Sequence, residues 1–451
     1  MKLTGFLRMA VCAAIGISGS LHAQVSENEK MILPAPSKLP SAAQRQQIDR
    51  RYGMFIHFGI NTFHNEEWTD GSKPASSYCP TSVDADQWIR TARNAGMRYV
   101  ILVAKHHEGF CLWDSRYTEY DVARSGNPTN VIEAVAKACK KYHIDLGLYY
   151  SLWDRKENAD VKNISSDEAY NNYMIHQLNE LMDIVQPHTS IVEFWFDGSW
   201  MKENTRWPIE RIYQTIKSRM PDCQIGINWP IGKPDAPDQP AYPQEQQEED
   251  PIRYFPSDFR LGDPYLPRLD DPKVFSHAGK EYYMPWESTV CLSGRWFYYT
   301  DDHQYKTLDE LTDLYNRCTR NNNILILNSP PNREGRMRKT DVKLLKQLRK
   351  RLAASAATAR KLEGVWTQPI PGQPNQTCGI ELKADGKASS LNSHTLVYEN
   401  WLLLSGNRLV LAGQSIGNRQ TVSFSDTLDI EKLTSHHLIL KKGDYVSSYS
   451  R

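Results

Sequence analysis

Ile191-Val192-Glu193-Phe194-Trp195-Phe196-Asp197-Gly198 is a largely apolar, β-branched and aromatic run that stops on an aspartate and a glycine. Such a run, too short for a helix and bounded by a turn residue, reads as a strand buried in a parallel sheet. Three earlier runs have the same character: Tyr52 to His57, Arg98 to Ala104 and Ile144 to Tyr150. All four recur at intervals of about 45 residues, room for one crossover helix each. The stretches between them, around Asp84 to Asn94, Asn130 to Tyr142 and Ser166 to Val185, carry apolar residues three or four apart and predict those helices. Gln224 to Asn228, Tyr283 to Trp286 and Ile324 to Leu327 are expected to be later strands.

Strands alternating with helices predict a parallel α/β sheet, either doubly wound or closed into a barrel. Polar and aromatic residues gather at or just past the strand ends: His57, His106 with His107, Tyr150 with Trp153, Asp197, Asn228 and Glu287. A (β/α)8-like TIM barrel builds its active site there. The same residues also fit a bland reading, in which strands become polar as they reach solvent. Only seven strands can be traced, so the eighth is inferred and the barrel need not be regular. Residues 232 to 282 break the rhythm with prolines and acidic residues, as a long functional loop would. After a helix-like stretch, Thr340 to Ala354, the composition shifts near Ala357. Short alternating runs separated by Gly, Asn and Asp turns then predict a small all-β domain. The expected organisation is a leader at 1–23, a catalytic barrel at 24–355 and a β domain at 356–451, the last either a sandwich or a lipocalin-like barrel.

The chain has 451 residues, 40% hydrophobic and 24% charged, a composition that supports a packed core rather than disorder. A net charge of +1 gives no basic face for nucleic acid. Twelve Trp and 23 Tyr suit a protein that offers ring faces with polar edges, as sugar binding requires. Lys2 and Arg8, the apolar run Met9 to Leu21 and Leu21-His22-Ala23 before Gln24 read as a secretory signal. Export to the periplasm or medium is the expectation, and no later segment is apolar enough to span a bilayer. Cys12 follows Val11 inside the apolar run, a poor setting for a lipid anchor. The other seven cysteines show no short paired spacing, so neither a zinc ribbon nor a redox motif is predicted. Most of them read as small buried hydrophobes.

Hydrolysis of a glycosidic bond calls for two carboxyl groups flanking it. Asp197, delivered by a strand and followed by Gly198 between Trp195 and Trp200, stands where one of them belongs. On its own it is equally compatible with a helix cap or an ion pair. Histidines and carboxylates at strand ends could also hold a metal, but no ligand spacing of the Glu-x-x-His kind occurs, and neither metal nor cofactor is expected.

Several segments together resemble the α-L-fucosidases of glycoside hydrolase family 29. They are Gly53 to Gly59; Glu67-Trp68; Lys105-His106-His107-Glu108-Gly109-Phe110; Gly147 to Ser151; Trp195-Phe196-Asp197-Gly198; Pro285-Trp286-Glu287; and Ile324 to Gly335. The resemblance runs in order from about residue 50 to 350. It implies a retaining exo-glycosidase that releases terminal α-L-fucose from fucosylated oligosaccharides or glycoconjugates through a covalent glycosyl-enzyme. Asp197 would be the nucleophile, and His57, Glu67, Trp68, His106, His107, Tyr150 and Trp286 would bind the sugar. Adjacent residues on a strand face opposite ways, so one of His106 and His107 is expected to serve the core if the strand runs through them.

In relatives the acid/base lies in an Asp-aromatic-x-x-x-carboxylate stretch. Asp258-Phe259-Arg260-Leu261-Gly262-Asp263 fits it, with Asp263 where Glu is usual. Glu287 is the competing candidate, and Glu245, Glu248 and Glu249 are weaker ones. Relatives also carry Asn-Asp-Arg-x-Gly after the fifth strand, whereas Asn228-Trp229-Pro230-Ile231-Gly232 has no arginine. A barrel glycosidase for a sugar such as α-L-galactose and a non-catalytic glycan-binding protein are the alternative readings.

Overall fold

A computed structural model describes residues 31–157 and 163–451; the expected leader, with Cys12, lies outside the described residues. Eight parallel strands form one sheet: β1 (Tyr52–Ile56), β2 (Tyr99–Lys105), β3 (Asp145–Ser151), β4 (Ile191–Asp197), β5 (Gln224–Ile227), β6 (Arg260–Gly262), β7 (Trp286–Cys291) and β8 (Ile324–Asn328). Their hydrogen-bonded order is β5-β4-β3-β2-β1-β8-β7-β6, a (β/α)8 barrel with one unlaced seam between β5 and β6. Helices α2 (Ala85–Asn94), α3 (Val131–Tyr142), α4 (Asp167–Val185), α5 (Ile209–Arg219), α6 (Leu308–Cys318) and α7 (Lys339–Leu362) surround it, preceded by α1 (Ala42–Arg50). Two of these helices are capped by the side chain that precedes them: Asp84 accepts from Gln87 N, and Asn130 from Glu133 N.

Strand positions alternate between two cores. Phe55, Ile101, Val103, Tyr149, Trp195, Leu261 and Ile326 fill the barrel interior, while Met54, Leu102, Leu148, Tyr150 and Phe194 pack outward among the helices. Gly53 is required on the inner side, since a Cβ there would come within 2.6 Å of the Tyr99 ring.

Two expectations are corrected here. The stretch 232–282 contains the sixth strand, only three residues long and ending in glycine, so it carries no strand-like pattern. The run Tyr283 to Trp286 is not a barrel strand: Lys280–Tyr283 pairs with Val274–His277 as a hairpin, and β7 begins only at Trp286. No helix links β5 to β6 or β6 to β7. The seam is closed by Asp258 instead, whose backbone N donates to Ile225 O (2.7 Å) and whose Oδ2 accepts from Ile225 N (2.9 Å). Tyr213 and Lys217 of α5 bind the same carboxylate at 2.8 Å each.

The C-terminal strands β9 (Gly364–Ile370), β10 (Gln373–Leu382), β11 (Ala388–Leu391), β12 (Leu396–Leu404), β13 (Arg408–Gly417), β14 (Gln420–Leu433), β15 (His437–Lys442) and β16 (Tyr445–Ser450) form one antiparallel sheet, order β11-β10-β9-β16-β15-β14-β13-β12. First and last strands pair at Thr367 and Ser450, and the sheet ends meet through the Lys387–Asn400 bridge and Ser390 Oγ donating to Leu396 O at 2.7 Å. Of the two expected forms this is the barrel. Helix α7 runs across the expected boundary at 355/356, and its Ala359 and Leu362 enter the β-domain core with Trp366 and Trp401. Contacts to the large barrel come from α6: Asn316 Nδ2 donates to Leu403 O at 3.0 Å, and Asp313 Oδ1 accepts from Ser405 N at 2.6 Å. Cys111, Cys139, Cys223 and Cys318 are buried free thiols, as small hydrophobes would be. No helix among the described residues is long and apolar enough to cross a membrane.

Candidate active site

The C-terminal ends of the barrel strands surround a funnel of about 410 Å³, lined by Phe55, His57, Trp68, His106, His107, Tyr149, Trp195, Asp197, Trp200, Asp263, Thr289 and Trp296. A larger groove of about 1200 Å³ lies between α6 and the β domain, but none of the predicted site residues line it. Asp197 is the last residue of β4. Its Oδ1 accepts from Asn228 Nδ2 at 2.9 Å and its Oδ2 from the Tyr149 hydroxyl at 2.8 Å. The same Asn228 Nδ2 donates to Asp263 Oδ1 at 3.0 Å. One amide nitrogen within hydrogen-bond reach of both carboxyls keeps their facing oxygens within about 6 Å of each other, a range that takes in the spacing of a retaining carboxyl pair.

Burial raises both carboxyl pKa values. Hydrogen bonds from Asn228, Tyr149 and the Gly198 backbone partly oppose this at Asp197. Burial and then the neighbouring Asp197 charge push Asp263 up to about 6. The Asp197 charge thus favours a protonated Asp263, the arrangement of one ionised and one protonated carboxyl.

His57 and His107 are held as neutral rings. Burial and then the adjacent His106 push His57 and His107 well below the usual histidine range. Asn328 at the end of β8 gives its Nδ2 to the Trp296 carbonyl (2.8 Å), leaving its Oδ1 to accept from His57 Nδ1 (2.7 Å). Ser151 Oγ donates to Trp153 O and so accepts from His107 Nδ1 at 2.6 Å. Each ring then carries its proton on Nδ1 and turns an accepting Nε2 to the funnel. His107 Nε2 stands 3.6 Å from Asp197 Oδ2, too far for a direct hydrogen bond. Both His106 and His107 line the funnel because β2 ends at Lys105, so strand alternation does not apply to them. Lys105 itself turns away and forms a buried ion pair with Asp154 at 2.7 Å, tying β2 to the segment after β3.

Trp68 lies edge-on to His107 (5.2 Å between centroids) and stacks near Trp200 (6.2 Å) at the rim. Glu67 does not line the funnel: its carboxylate accepts from the backbone N–H groups of Trp296 (3.1 Å) and Phe297 (3.3 Å) and thereby positions Trp296 beside His57.

Besides Glu67, three more expected site residues are elsewhere. Tyr150 faces the helices, with its hydroxyl on Gln177 Oε1 at 2.7 Å; period-two alternation puts its neighbour Tyr149 inside. Trp286 faces outward at the start of β7, its Nε1 donating to Ser288 Oγ at 2.8 Å. Glu287 points into the barrel but from the N-terminal end of β7, opposite to the funnel, where the Tyr99 hydroxyl donates to it at 2.9 Å. It is therefore no partner for Asp197. The weaker candidates Glu245, Glu248 and Glu249 are exposed and do not line the funnel. Asn228, already noted at a strand end, had a bridging part that residue type alone does not reveal. Tyr149, Asn328 and Trp296 were not expected, although the first two sit inside the quoted family segments. Among the described residues no three His, Cys, Asp or Glu side chains are grouped to hold a metal ion.

Glu287 and the buried Glu193 form a second carboxyl pair, at the barrel's closed end. Burial, then the Glu193 charge, pushes Glu287 well above the usual range, and burial raises Glu193 to about 7. Acids whose folded pKa lies above the unfolded value of about 4.3 favour the native state most when protonated. That contribution is fully present below the unfolded pKa and is lost as pH rises through the folded one. Glu287→Gln keeps the shape without the titration. Its thermal midpoint at pH 8 is expected to exceed the parent's by a few degrees, with the gap closing toward pH 4; a midpoint equal or lower at pH 8 would remove the pair as a source of that pH dependence.

Two carboxyls at this spacing in the mouth of a (β/α)8 barrel, ringed by imidazoles and indoles, are built as in the retaining glycoside hydrolases. The chain belongs to the alpha-L-fucosidase family, whose model matches residues 21–356; a lipocalin-like model matches residues 358–451. It is 31% identical over 343 residues to Alpha-L-fucosidase 1 of Arabidopsis thaliana, covering 72% of this chain and 63% of that one. A second plant relative, from Oryza sativa subsp. japonica, is 30% identical over 321 residues, covering 68% and 58%. The chain thus spans about three fifths of the length of these curated relatives. The solved structure of a glycoside hydrolase 29 family member from an unknown rumen bacterium superposes with a TM-score of 0.58 at 24% identity, covering 86% of this chain and 69% of that one.

Proposed function

We propose that the protein is a retaining exo-α-L-fucosidase acting on terminal fucose of glycans. The observation that carries this reading is the Asp197–Asn228–Asp263 bridge at the floor of the funnel. In this reading Asp197, oriented by Tyr149 and Asn228, attacks the anomeric carbon while Asp263 gives its proton to the departing glycosidic oxygen. The C–O bond to the leaving group breaks as the bond to Asp197 forms. Asp263, now ionised, then takes a proton from a water molecule whose oxygen bonds to the anomeric carbon as the bond to Asp197 breaks, which leaves Asp263 protonated and Asp197 ionised again. A sugar hydroxyl beside His107 Nε2 finds there an acceptor for its single O–H proton. His57 and His106 supply further polar contacts. Trp68, Trp200 and Trp296 offer apolar walls to the methyl group and C–H face of fucose. A protein that only binds glycans has no need of a second carboxyl held protonated beside the first. Membership of the alpha-L-fucosidase family supports the choice of sugar.

Following aryl α-L-fucoside hydrolysis by proton NMR tests the proposal. The first product signal is expected to be α-L-fucose, with the β anomer appearing later by mutarotation. Initial release of the β anomer would sink the retaining mechanism, and no release would sink the fucosidase reading.

A further inference from the structure

Beside the funnel lies a group of rings that the chemistry above does not use. Trp229, Tyr242 and Tyr265 contact one another with centroids 5.2 Å (Trp229–Tyr242), 5.0 Å (Trp229–Tyr265) and 5.3 Å (Tyr242–Tyr265) apart. The indole is fixed from three sides. Trp229 holds a left-handed backbone at φ 57°, a conformation that a bulky residue adopts only when its surroundings enforce it. Arg253 Nη1 donates to its carbonyl at 2.9 Å. Its six-membered ring lies so close to β6 that a Cβ on Gly262 would come 3.0 Å from it. The two tyrosines on this base are each 40% exposed, so part of each ring is open to a ligand.

Their place in the fold says which ligand. Trp229 directly follows Asn228, which donates to Asp263, and Tyr265 lies two residues beyond Asp263. The platform therefore borders the proton donor, the side on which the leaving group departs. The fucose-side walls come from other strands: Trp68 and Trp200 flank His107, and Trp296 flanks His57. A hexopyranose presents a C–H face to an aromatic ring and hydroxyls at its edge, which suits two adjoining tyrosines.

We propose that Tyr265 and Tyr242, seated on Trp229, form the binding site for the sugar ring to which the fucose is attached, so that the preferred substrates are fucosyl oligosaccharides. This rests on the fucosidase reading and adds what that reading leaves open, the class of leaving group.

The test compares kcat/KM for two substrates within each protein: α-L-fucosyl fluoride, which has no leaving-group ring, and the fastest-cleaved member of a panel of α-L-fucosyl disaccharides. Tyr265→Ala is expected to lower the disaccharide-to-fluoride ratio by about tenfold or more, the size expected for losing an aromatic contact. Tyr265→Phe, which keeps the ring, should hold the ratio within about twofold of the parent. Because each ratio is internal to one protein, a loss of folded enzyme cancels. An unchanged ratio in Tyr265→Ala overturns the proposal, as does an equal fall in Tyr265→Phe, which would assign the effect to the hydroxyl. A parent that cleaves the fluoride but no disaccharide also overturns it. A parent inert on the fluoride overturns the underlying activity and the platform's role with it.

Discussion

Asp197→Ala is expected to lower kcat on an activated aryl α-L-fucoside by about 10⁴-fold or more, while the thermal midpoint at pH 7 does not fall. Loss of the nucleophile removes the covalent intermediate and with it most of the barrier lowering that the site provides. Stability follows a different logic. Burial holds the Asp197 pKa above its ordinary value, so keeping that carboxylate ionised at neutral pH costs the native state free energy that alanine does not. Azide gives a stereochemical check. Small enough to enter the space left by the side chain, it would attack from the face Asp197 occupied and give β-L-fucosyl azide. A variant with parental activity would remove Asp197 from the chemistry.

The second large effect is expected at Asp263. Asp263→Gly should cost about 10² to 10⁴ in kcat/KM on fucosyl oligosaccharides, whose leaving groups need a proton, and much less on substrates that leave unaided. Azide should restore turnover on the latter. Here it intercepts the glycosyl-enzyme from the opposite face, so the product is α-L-fucosyl azide. The pH profile carries the same assignment. Activity requires Asp263 protonated, so with its carboxyl pushed up to about 6 the parent's kcat/KM should fall as pH rises past about 6. That limb should be absent in Asp263→Gly on the activated substrate. If the glycine variant keeps the alkaline limb and gains nothing from azide, the proton donor lies elsewhere.

Strand ends were more legible in the sequence than strand faces. Asp197, His57, His106 and His107 could be placed because each follows a long run of β-branched and aromatic residues whose end is unambiguous. Tyr149 and Tyr150 are identical residues one apart, and only the sheet's register decides which one enters the barrel. Glu287 was misplaced because Tyr283-Met284-Pro285-Trp286 resembles a strand in composition, and starting β7 three residues late moves a glutamate from one end of the barrel to the other. The sixth strand has three residues and no alternation to detect. In the β domain, sandwich and barrel share the same period-two pattern. What separates them is the pairing of Thr367 with Ser450, a contact between residues far apart in sequence.

The unlaced seam between β5 and β6 has a consequence for how this barrel can change. Seven of the eight neighbouring strand pairs are held by backbone ladders, and an insertion that shifts one of them would shift side chains on both faces. At the seam the joint is a single aspartate, Asp258, with α5 behind it. The polypeptide on either side can therefore lengthen, shorten or be exchanged without disturbing the register that presents Asp197 and the imidazoles. Asn228, Trp229, Asp263 and Tyr265 all hang from that joint. On the proposed function, the barrel is in effect a fixed chuck for one sugar with an interchangeable jaw for the other, and the jaw can be retooled while the chuck stays in place.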